Sequence, residues 1–300
     1  MTVNISQTDR AATTQAPAFA GEKKYGIAIV ANDKVVHWLL PFLESYLATN
    51  ASIPLYLIPY DDNTNKTRKI AELYGVTMAD IDCRELDALS KRLYPFSLGK
   101  RFRLRKLLSL ALPLDEVIHL DCDIILFRDL RVLLGQIDPG ETDFIVVTQT
   151  LDYVYNKKHL EYDYLRDAPL FNDGFFITSN KILTVQDFYD AMREDERVFH
   201  KVRQRGGLYA QPLTNFVTHR KRLKIKPIFK LIGHASGESY HKAEGITFDD
   251  AGPLDSVGGE IYFCHWPGVT GVPRGGAFDG AWQIYADKAA KRVIDAGLTL

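Results

Sequence analysis

Asp121 and Asp123 stand two residues apart in the stretch Glu116-Val-Ile-His-Leu-Asp-Cys-Asp-Ile-Ile-Leu-Phe127. The apolar run Val117 to Leu120 reads as a strand that ends in these two carboxylates, and a second apolar run, Ile124 to Phe127, follows at once. Like charges held a few ångströms apart repel, so a pair of this kind needs a counter-charge. A hard divalent cation, Mn²⁺ or Mg²⁺, supplies it, and such ions sit between protein carboxylates and substrate phosphates. The stretch therefore predicts a metal–diphosphate site at the carboxyl edge of a sheet, where open α/β sheets bind their ligands. The bland alternative is a surface turn with two solvated aspartates, and only the rest of the chain decides between them.

Three other stretches carry groups that could complete such a site. Ile261-Tyr-Phe-Cys-His265-Trp-Pro-Gly268 is an apolar strand that ends in a histidine beside Gly-rich sequence containing Arg274. A neutral imidazole there is a reasonable third ligand. Leu98 to Leu112 sets Lys100, Arg101, Arg103, Arg105 and Lys106 among leucines just before the Asp-x-Asp strand. One or two of these cations reaching a diphosphate would neutralise a leaving group, while most should be solvated. Phe171-Asn172-Asp173-Gly174 is a turn into a strand, and its glycine permits close approach of backbone to a ligand.

These groups need a frame, and the order of apolar segments suggests one. Tyr25 to Ala31 is a continuous apolar run, as in a strand buried on both faces. Asn32 and Asp33 end it, and Asp33 is expected to cap a helix to about Thr49. A strand over Ile53 to Tyr60, a helix to Tyr74 and a strand over Val76 to Ile81 complete a βαβαβ alternation, which implies a parallel, doubly wound sheet. Leu98 to Leu112 should be one helix with a face of Leu104, Leu107, Leu108 and Ala111. A short helix over Asp129 to Gln136, a strand over Asp143 to Thr148 and a helix from Lys181 to about Arg193 follow. Gly206 to Val217 reads as a loop entering a helix with Pro212 in its first turn. Leu223 to Ile225 suggests a strand, and Asp279 to Ala296 an amphipathic helix. The segment Gln149 to Pro169, with Tyr153, Tyr155, Tyr162 and Tyr164, is long for a connection and could stack on a sugar. Lys230 to Asp255 shows too little periodicity to define an element.

The chain has 300 residues and a formal charge of −1, so no overall basic field argues for nucleic acid. Its three cysteines, Cys83, Cys122 and Cys264, are dispersed among apolar runs, as expected of reduced thiols in a cytoplasmic protein. Residues 1–20 lack the basic and apolar regions of a signal peptide and read as a disordered tail. No apolar run approaches a membrane span, so membrane contact should be peripheral at most, through the basic run His219 to Lys226. No internal repeat appears, and residues 21–300 are expected to form a single domain. The sequence leaves open whether the chain forms a homo-oligomer.

Four landmarks in order resemble a known family. Ile-Val-Ala-Asn32-Asp33, Leu120-Asp-Cys-Asp123, Phe171-Asn-Asp-Gly174 and His265-Trp-Pro-Gly268 are similar to those of the GT-A-fold glycosyltransferases of family 8, the group of glycogenin and bacterial lipopolysaccharide galactosyltransferases. The resemblance spans about residues 25–276. It implies a GT-A (Rossmann-like) α/β fold with a mixed, mostly parallel sheet flanked by helices. It further implies a UDP-sugar donor, a Mn²⁺ ion (or Mg²⁺), a carbohydrate, glycolipid or small-molecule acceptor, and transfer with retention. By position it assigns Asp121, Asp123 and His265 to the metal. Val30, Asn32 and Asp33 would line the nucleoside pocket, with Cys122 and Gly268 in the donor-binding set. Lys106, or Arg103 in a shifted register, would face the phosphates, and Asn172, Asp173 and Gly174 the donor sugar. Gln211 would stand near the reacting carbon.

The chain departs from the family at three places. Ala210 replaces the Asp of an Asp-Gln pair, Asp173 replaces Ala or Ser, and Gly271 replaces a phosphate-binding Lys for which Arg274 could substitute. An oxocarbenium-like transition state would be stabilised by polar groups such as Gln211 and Asp173, and a covalent intermediate on Asp173 is conceivable by analogy with retaining glycosidases. Two rivals follow: a nucleotide-sugar-binding relative without turnover, and a haloacid dehalogenase-type phosphatase. The phosphatases carry their Asp-x-Asp near the N-terminus, whereas some 120 residues precede it here. A nucleotidyltransferase would need a Gly-rich basic loop after the first strand, which is not seen.

Overall fold

The computed structural model describes residues 23–147, 170–194, 210–233 and 235–300. The expected tail at 1–20, the tyrosine-rich segment 149–169 and the start of the 206–217 loop lie outside them.

The chain opens with β1 (Tyr25–Ala31), α1 (Val36–Thr49), β2 (Leu55–Pro59), α2 (Asn65–Tyr74) and β3 (Thr77–Met78). Helices α3 (Arg84–Leu93) and α4 (Leu98–Phe102) lead through a 3-10 segment, Arg103–Ala111, into β4 (Glu116–Leu120) and β5 (Ile124–Leu126). Then come β6 (Phe144–Val146), β7 (Phe175–Thr178), α5 (Val185–Glu194), α6 (Ala210–Arg220), β8 (Ile225–Pro227) and α7 (Ile228–Leu231). Strands β9 (Ala235–Tyr240), β10 (Thr247–Asp249), β11 (Gly252–Leu254) and β12 (Glu260–His265) precede helix α8 (Asp279–Asp295).

The main sheet has seven strands in the order β3-β2-β1-β4-β7-β6-β8. Strands β3, β2, β1 and β4 run parallel, and β7 runs antiparallel to both β4 and β6. Alternation along each strand feeds two cores. Ile27, Ile29, Leu55, Leu57, Ile118 and Leu120 face α1 and α2, where Leu39, Phe42, Leu43 and Ile70 are fully buried. Ala28, Val117, Phe144 and Phe176 face the other side, against Leu104, Leu107 and Leu108 and the apolar faces of α3, α5 and α6. The parallel half is buried on both faces because helices cover both, which is why β1 reads as an unbroken apolar run.

A smaller sheet, β10-β11-β12-β5 with β9 beside β12, carries the carboxyl edge of the fold onward. Behind it lies a third core in which Trp38 packs between Trp266 and Trp282, ring centroids 5.9 and 5.8 Å away. Among the described residues no helix is long and apolar enough to cross a membrane.

Several local expectations are corrected. Asp33 does not cap α1. Asn32 caps the short 3-10 turn Asp33–Val35 that precedes it, accepting from Lys34 N. The Asp33 carboxylate instead accepts from the backbone N–H and hydroxyl of Thr67, fastening the first turn of α2. Leu98 to Leu112 is not one α-helix. It tightens to 3-10 from Arg103, so Arg105 joins the buried leucines while Ala111 is exposed. Arg105 is kept by a two-pronged pair with Asp87 and a bond to the Pro59 carbonyl. The third strand shrinks to Thr77–Met78, the segment over Asp129 to Gln136 forms only a 3-10 turn at Leu130–Leu133, and α5 starts at Val185.

Candidate functional site

Strand β4 delivers Asp121 and Asp123 to the carboxyl edge of the main sheet. Two strand pairings fix what surrounds them. Antiparallel β7 sets Phe175 opposite Leu120, so Asp121 N donates to Gly174 O at 2.8 Å. Antiparallel β12 sets His265 beside Ile124, and Trp266 N donates to Asp123 O at 3.0 Å. The three side chains are thereby brought together, one donor atom of each lying within 4.8 Å of the others. His265 Nε2 is 3.3 Å from Asp123 Oδ1 and 4.0 Å from Asp121 Oδ2. Ligands at about 2.1 Å from one octahedral cation are separated by roughly 3 Å when adjacent and roughly 4.2 Å when opposite, and both distances fall in that range. A Cβ on residue 174 would come within 2.6 Å of His265 Cε1 and 3.2 Å of Asp121 Oδ2. Glycine therefore keeps the cradle open. Two carboxylates and an imidazole suit Mn²⁺ or Mg²⁺, and the residues present fit such an ion.

The other oxygen of Asp121 is already engaged. Lys106 Nζ lies 2.9 Å from Asp121 Oδ1, and His119 Nε2 lies 3.4 Å from the same atom. His119 sits two residues before Asp121 on the same face of β4, fully buried and stacked on Phe176. Burial keeps its imidazole neutral by pushing its pKa down. Lys106 also reaches Asp173, 3.2 Å from Oδ1 and 3.3 Å from the carbonyl. Burial works against its charge, but Asp121 and Asp173 outweigh it and hold the ammonium above its ordinary value. Asp121 is also penalised by burial, yet Lys106 and the nearby histidines drive its carboxyl far below the usual range. Asp173 goes the other way: burial raises it, Lys106 pulls it down, and repulsion from Asp121 adds to the rise. Its second oxygen accepts from Thr214 Oγ1 at 3.3 Å.

Helix α6 holds the Asn172–Gly174 turn from below. Asn215, fully buried, accepts from Phe171 N and donates to Phe171 O, each at 2.9 Å. Asn172 Oδ1 accepts from Gly174 N, and Asn172 Nδ2 donates to the Tyr240 hydroxyl at 3.2 Å. Gln211 lies half-buried in the first turn of α6, one turn before Thr214 and Asn215.

The remaining expected site residues are spread more widely. Lys106, not Arg103, lies against Asp121. Arg103 is exposed and its guanidinium hydrogen bonds with Tyr60. Asn32 and Asp33 sit at the end of β1, with the Asn32 amide donating to Asp61 at 2.8 Å. Val30 packs half-buried against the core shared with Ala28. Cys122 is half-buried between the two aspartates and, like Cys83 and Cys264, is free. Gly268 turns the chain after Trp266 with a φ of 75°, and Arg274 is exposed on the loop beyond. Sequence reasoning missed His119, Thr214, Asn215, Glu238 and Tyr240. His119 was visible as one polar residue within an apolar strand, two before Asp121. The last two come from β9, whose pattern gave no strand signal.

A seven-stranded mixed sheet, covered on both faces, with Asp-Cys-Asp at its carboxyl edge and a second small sheet beyond, defines the fold as that of the GT-A glycosyltransferases. No protein-family model and no curated protein matches the sequence. Solved structures do. The galactosyltransferase LgtC, crystallised with donor and acceptor sugar analogues, superimposes with a TM-score of 0.58 at 12% identity, over 88% of this chain and 95% of that one. The bifunctional glycosyltransferase WbbM gives 0.59 at 13% identity, over 92% of this chain and 52% of that one. Mouse xyloside xylosyltransferase 1 gives 0.50 at 12% identity, over 81% and 98%.

Proposed function

We propose that this protein is a cytoplasmic, metal-dependent glycosyltransferase. It moves a sugar from a nucleotide-sugar, a UDP-sugar, to a hydroxyl group of a glycan, glycolipid or small-molecule acceptor, with retention at the anomeric carbon. The observation that carries this reading is the convergence of Asp121, Asp123 and His265 beside Lys106 at the carboxyl edge of a GT-A sheet. Asp121, Asp123 and His265 would hold a divalent cation, which would supply positive charge to offset that of the donor diphosphate.

The chain's own groups account for the remainder. Lys106 places a permanent positive charge next to the diphosphate, where it favours departure of the nucleotide. Gly174, without a side chain, would leave room for the donor sugar, the Asn172 amide beside it would offer its remaining N–H, and Gln211, in the first turn of α6, would stand near the reacting carbon. Both oxygens of Asp173 are engaged, one by Lys106 and one by Thr214, and its side chain is only 4% exposed. That arrangement favours Asp173 as the residue that positions Lys106 over Asp173 as a covalent nucleophile. The acceptor oxygen then bonds to the anomeric carbon on the face that the phosphate leaves. The C–O bond to phosphate breaks, and the hydroxyl proton passes to the departing phosphate oxygen, so no dedicated base is needed.

Ala210, fully buried where the family resemblance expects a carboxylate, favours one second reading, a binding protein that has lost turnover. A thermal-shift panel of nucleotide-sugars with and without Mn²⁺, followed by an assay for released UDP, separates the two. Ligand at a hundredfold over its Kd should stabilise by about 2.7 kcal/mol. Stabilisation that needs Mn²⁺ and vanishes in Asp123→Ala supports the site, and UDP release supports turnover. Binding without release selects the second reading. Full transfer activity by Asp123→Ala in metal-free buffer would overturn the mechanism.

A further inference from the structure

Strand β9 runs parallel to β12, with Tyr240 in register with His265 and Glu238 in register with Phe263. Past the irregularity at Gly237, Glu238 and Tyr240 lie two residues apart on one side of the strand. From there Glu238 reaches diagonally to His265, its Oε1 lying 2.7 Å from Nδ1, and each of these two side chains is only 3% exposed. The Tyr240 ring stacks near the same imidazole, centroids 6.2 Å apart. Among the described residues the second, buried oxygen of Glu238 has no hydrogen-bond partner.

A buried carboxylate is expensive unless a specific partner offsets it, and packing β9 against β12 would be served as well by an apolar side chain. Here the carboxylate is spent on one atom, the nitrogen of His265 that points away from the aspartates. An imidazole held by its Nδ1–H in this way has a fixed tautomer and ring orientation, and its Nε2 lone pair becomes a better donor. Nε2 is the nitrogen that faces Asp121 and Asp123.

We infer that Glu238 is a positioning residue of the metal site, fixing His265 through Nδ1 so that Nε2 is presented to a divalent cation. The inference rests on the metal-dependent reading above and extends it to a strand that no sequence landmark marks. Glu238 is not itself a ligand. It determines how tightly the cation is held, because a His265 free to rotate or to carry its proton on Nε2 would bind the ion poorly.

Calorimetric titration of the full chain with Mn²⁺ alone tests this, with unfolding in urea measured on the same variants in metal-free buffer. Glu238→Gln keeps the shape but loses the charge and should raise the Kd for Mn²⁺ about 10- to 100-fold. In a His265→Ala background the same change should have no further effect on Kd, since Glu238 acts only through that ring. A Glu238→Gln protein that binds Mn²⁺ as tightly as the parent, with only its urea midpoint lowered, would overturn the inference and leave Glu238 as a packing residue. An equal loss of affinity in the His265→Ala background would overturn it too. If the variants do not fold, ¹⁵N-histidine spectra of the unmodified protein decide, with ¹¹³Cd²⁺ as a diamagnetic probe. Coupling of cadmium to Nε2 beside a protonated Nδ1 agrees with the inference, and coupling to Nδ1 refutes it. The two readings fail separately. Unmodified protein that binds no Mn²⁺ removes the metal site and this inference together, whereas Mn²⁺ binding that depends on Asp123 but not on Glu238 removes only the inference.

Discussion

Gly174 shows how one missing carbon shapes the site. Its place is set by the bond from Asp121 N to its carbonyl, and the space where a Cβ would stand lies between His265 and Asp121. In Gly174→Ala the new methyl must displace the imidazole or the carboxylate. We expect the fold to persist, at a cost of about 1–3 kcal/mol for overpacking, and Mn²⁺ affinity by calorimetry to fall at least about tenfold. Parent-like affinity would show that the ligands tolerate rearrangement. Glu116 makes a different argument at the same scale. It lies at the start of β4, and burial raises its carboxyl to about 7, although it accepts a 3.0 Å bond from Gly135 N and feels Lys23. The folded chain therefore keeps a proton that the unfolded chain has released between its ordinary value of 4.5 and about 7. Each rise in pH through that window favours unfolding, and the loss levels off above it. At about 1.4 kcal/mol per unit, reduced for partial hydration, the effect is on the order of 2–3 kcal/mol. Glu116→Gln should be more stable than the parent at pH 8 and nearly equal at pH 4.5 in urea titrations. Equal differences at both pH values would refute the assignment.

At the scale of elements, helix α6 and strand β9 do more than their sequences announce. Asn215 binds Phe171 through both N–H and carbonyl and also donates to Gln211 O, so it ties the start of α6 to the Asn172–Gly174 turn. Asn215→Ala strands the buried amide and carbonyl of Phe171 and should cost about 2–4 kcal/mol in urea unfolding. A cost under about 0.5 kcal/mol would mean that water or a shifted turn replaces the amide. What was legible in the sequence follows from the same physics. The β1–β2 half announced itself because strands covered on both faces must be apolar throughout. Asp121, Asp123 and His265 were legible because each ends such a run, and a charge at a strand end has few structural uses. The tightening of Arg103–Ala111 to 3-10 was not, because its driving contacts, Arg105 with Asp87 and with Pro59, join segments far apart in the chain. Strand β9 was hidden because Ala-Ser-Gly-Glu-Ser-Tyr has no apolar alternation. Its small residues lie against the core, and Glu238 and Tyr240 turn toward His265.

Across the whole molecule, the two ends of the described chain are clasped together. Glu44 of α1 is 6% exposed, accepts from the Tyr74 hydroxyl at 2.8 Å and takes Arg292 Nε of α8 at 2.5 Å. Arg292 is itself 43% exposed, so solvent screens much of the pair. Removing it still leaves a buried carboxylate with one neutral donor. Arg292→Ala should cost about 1–2 kcal/mol, and adding Glu44→Gln should restore part of that loss in equilibrium unfolding. No recovery in the double variant would place the cost in lost packing over the Tyr74 ring, which the guanidinium also covers at 5.2 Å.

The indole cluster beside this clasp has a practical corollary. Trp38, Trp266 and Trp282 are all the tryptophans the protein has, and one of them is the next residue after a ligand of the proposed metal. Tryptophan emission from this protein, excited beyond the tyrosine band, thus originates from a single spot that touches the first helix, the last helix and the end of the strand carrying His265. A paramagnetic ion arriving at His265 should dim that light, while a diamagnetic one should leave it bright, giving a label-free optical gauge of metal loading already built into the chain.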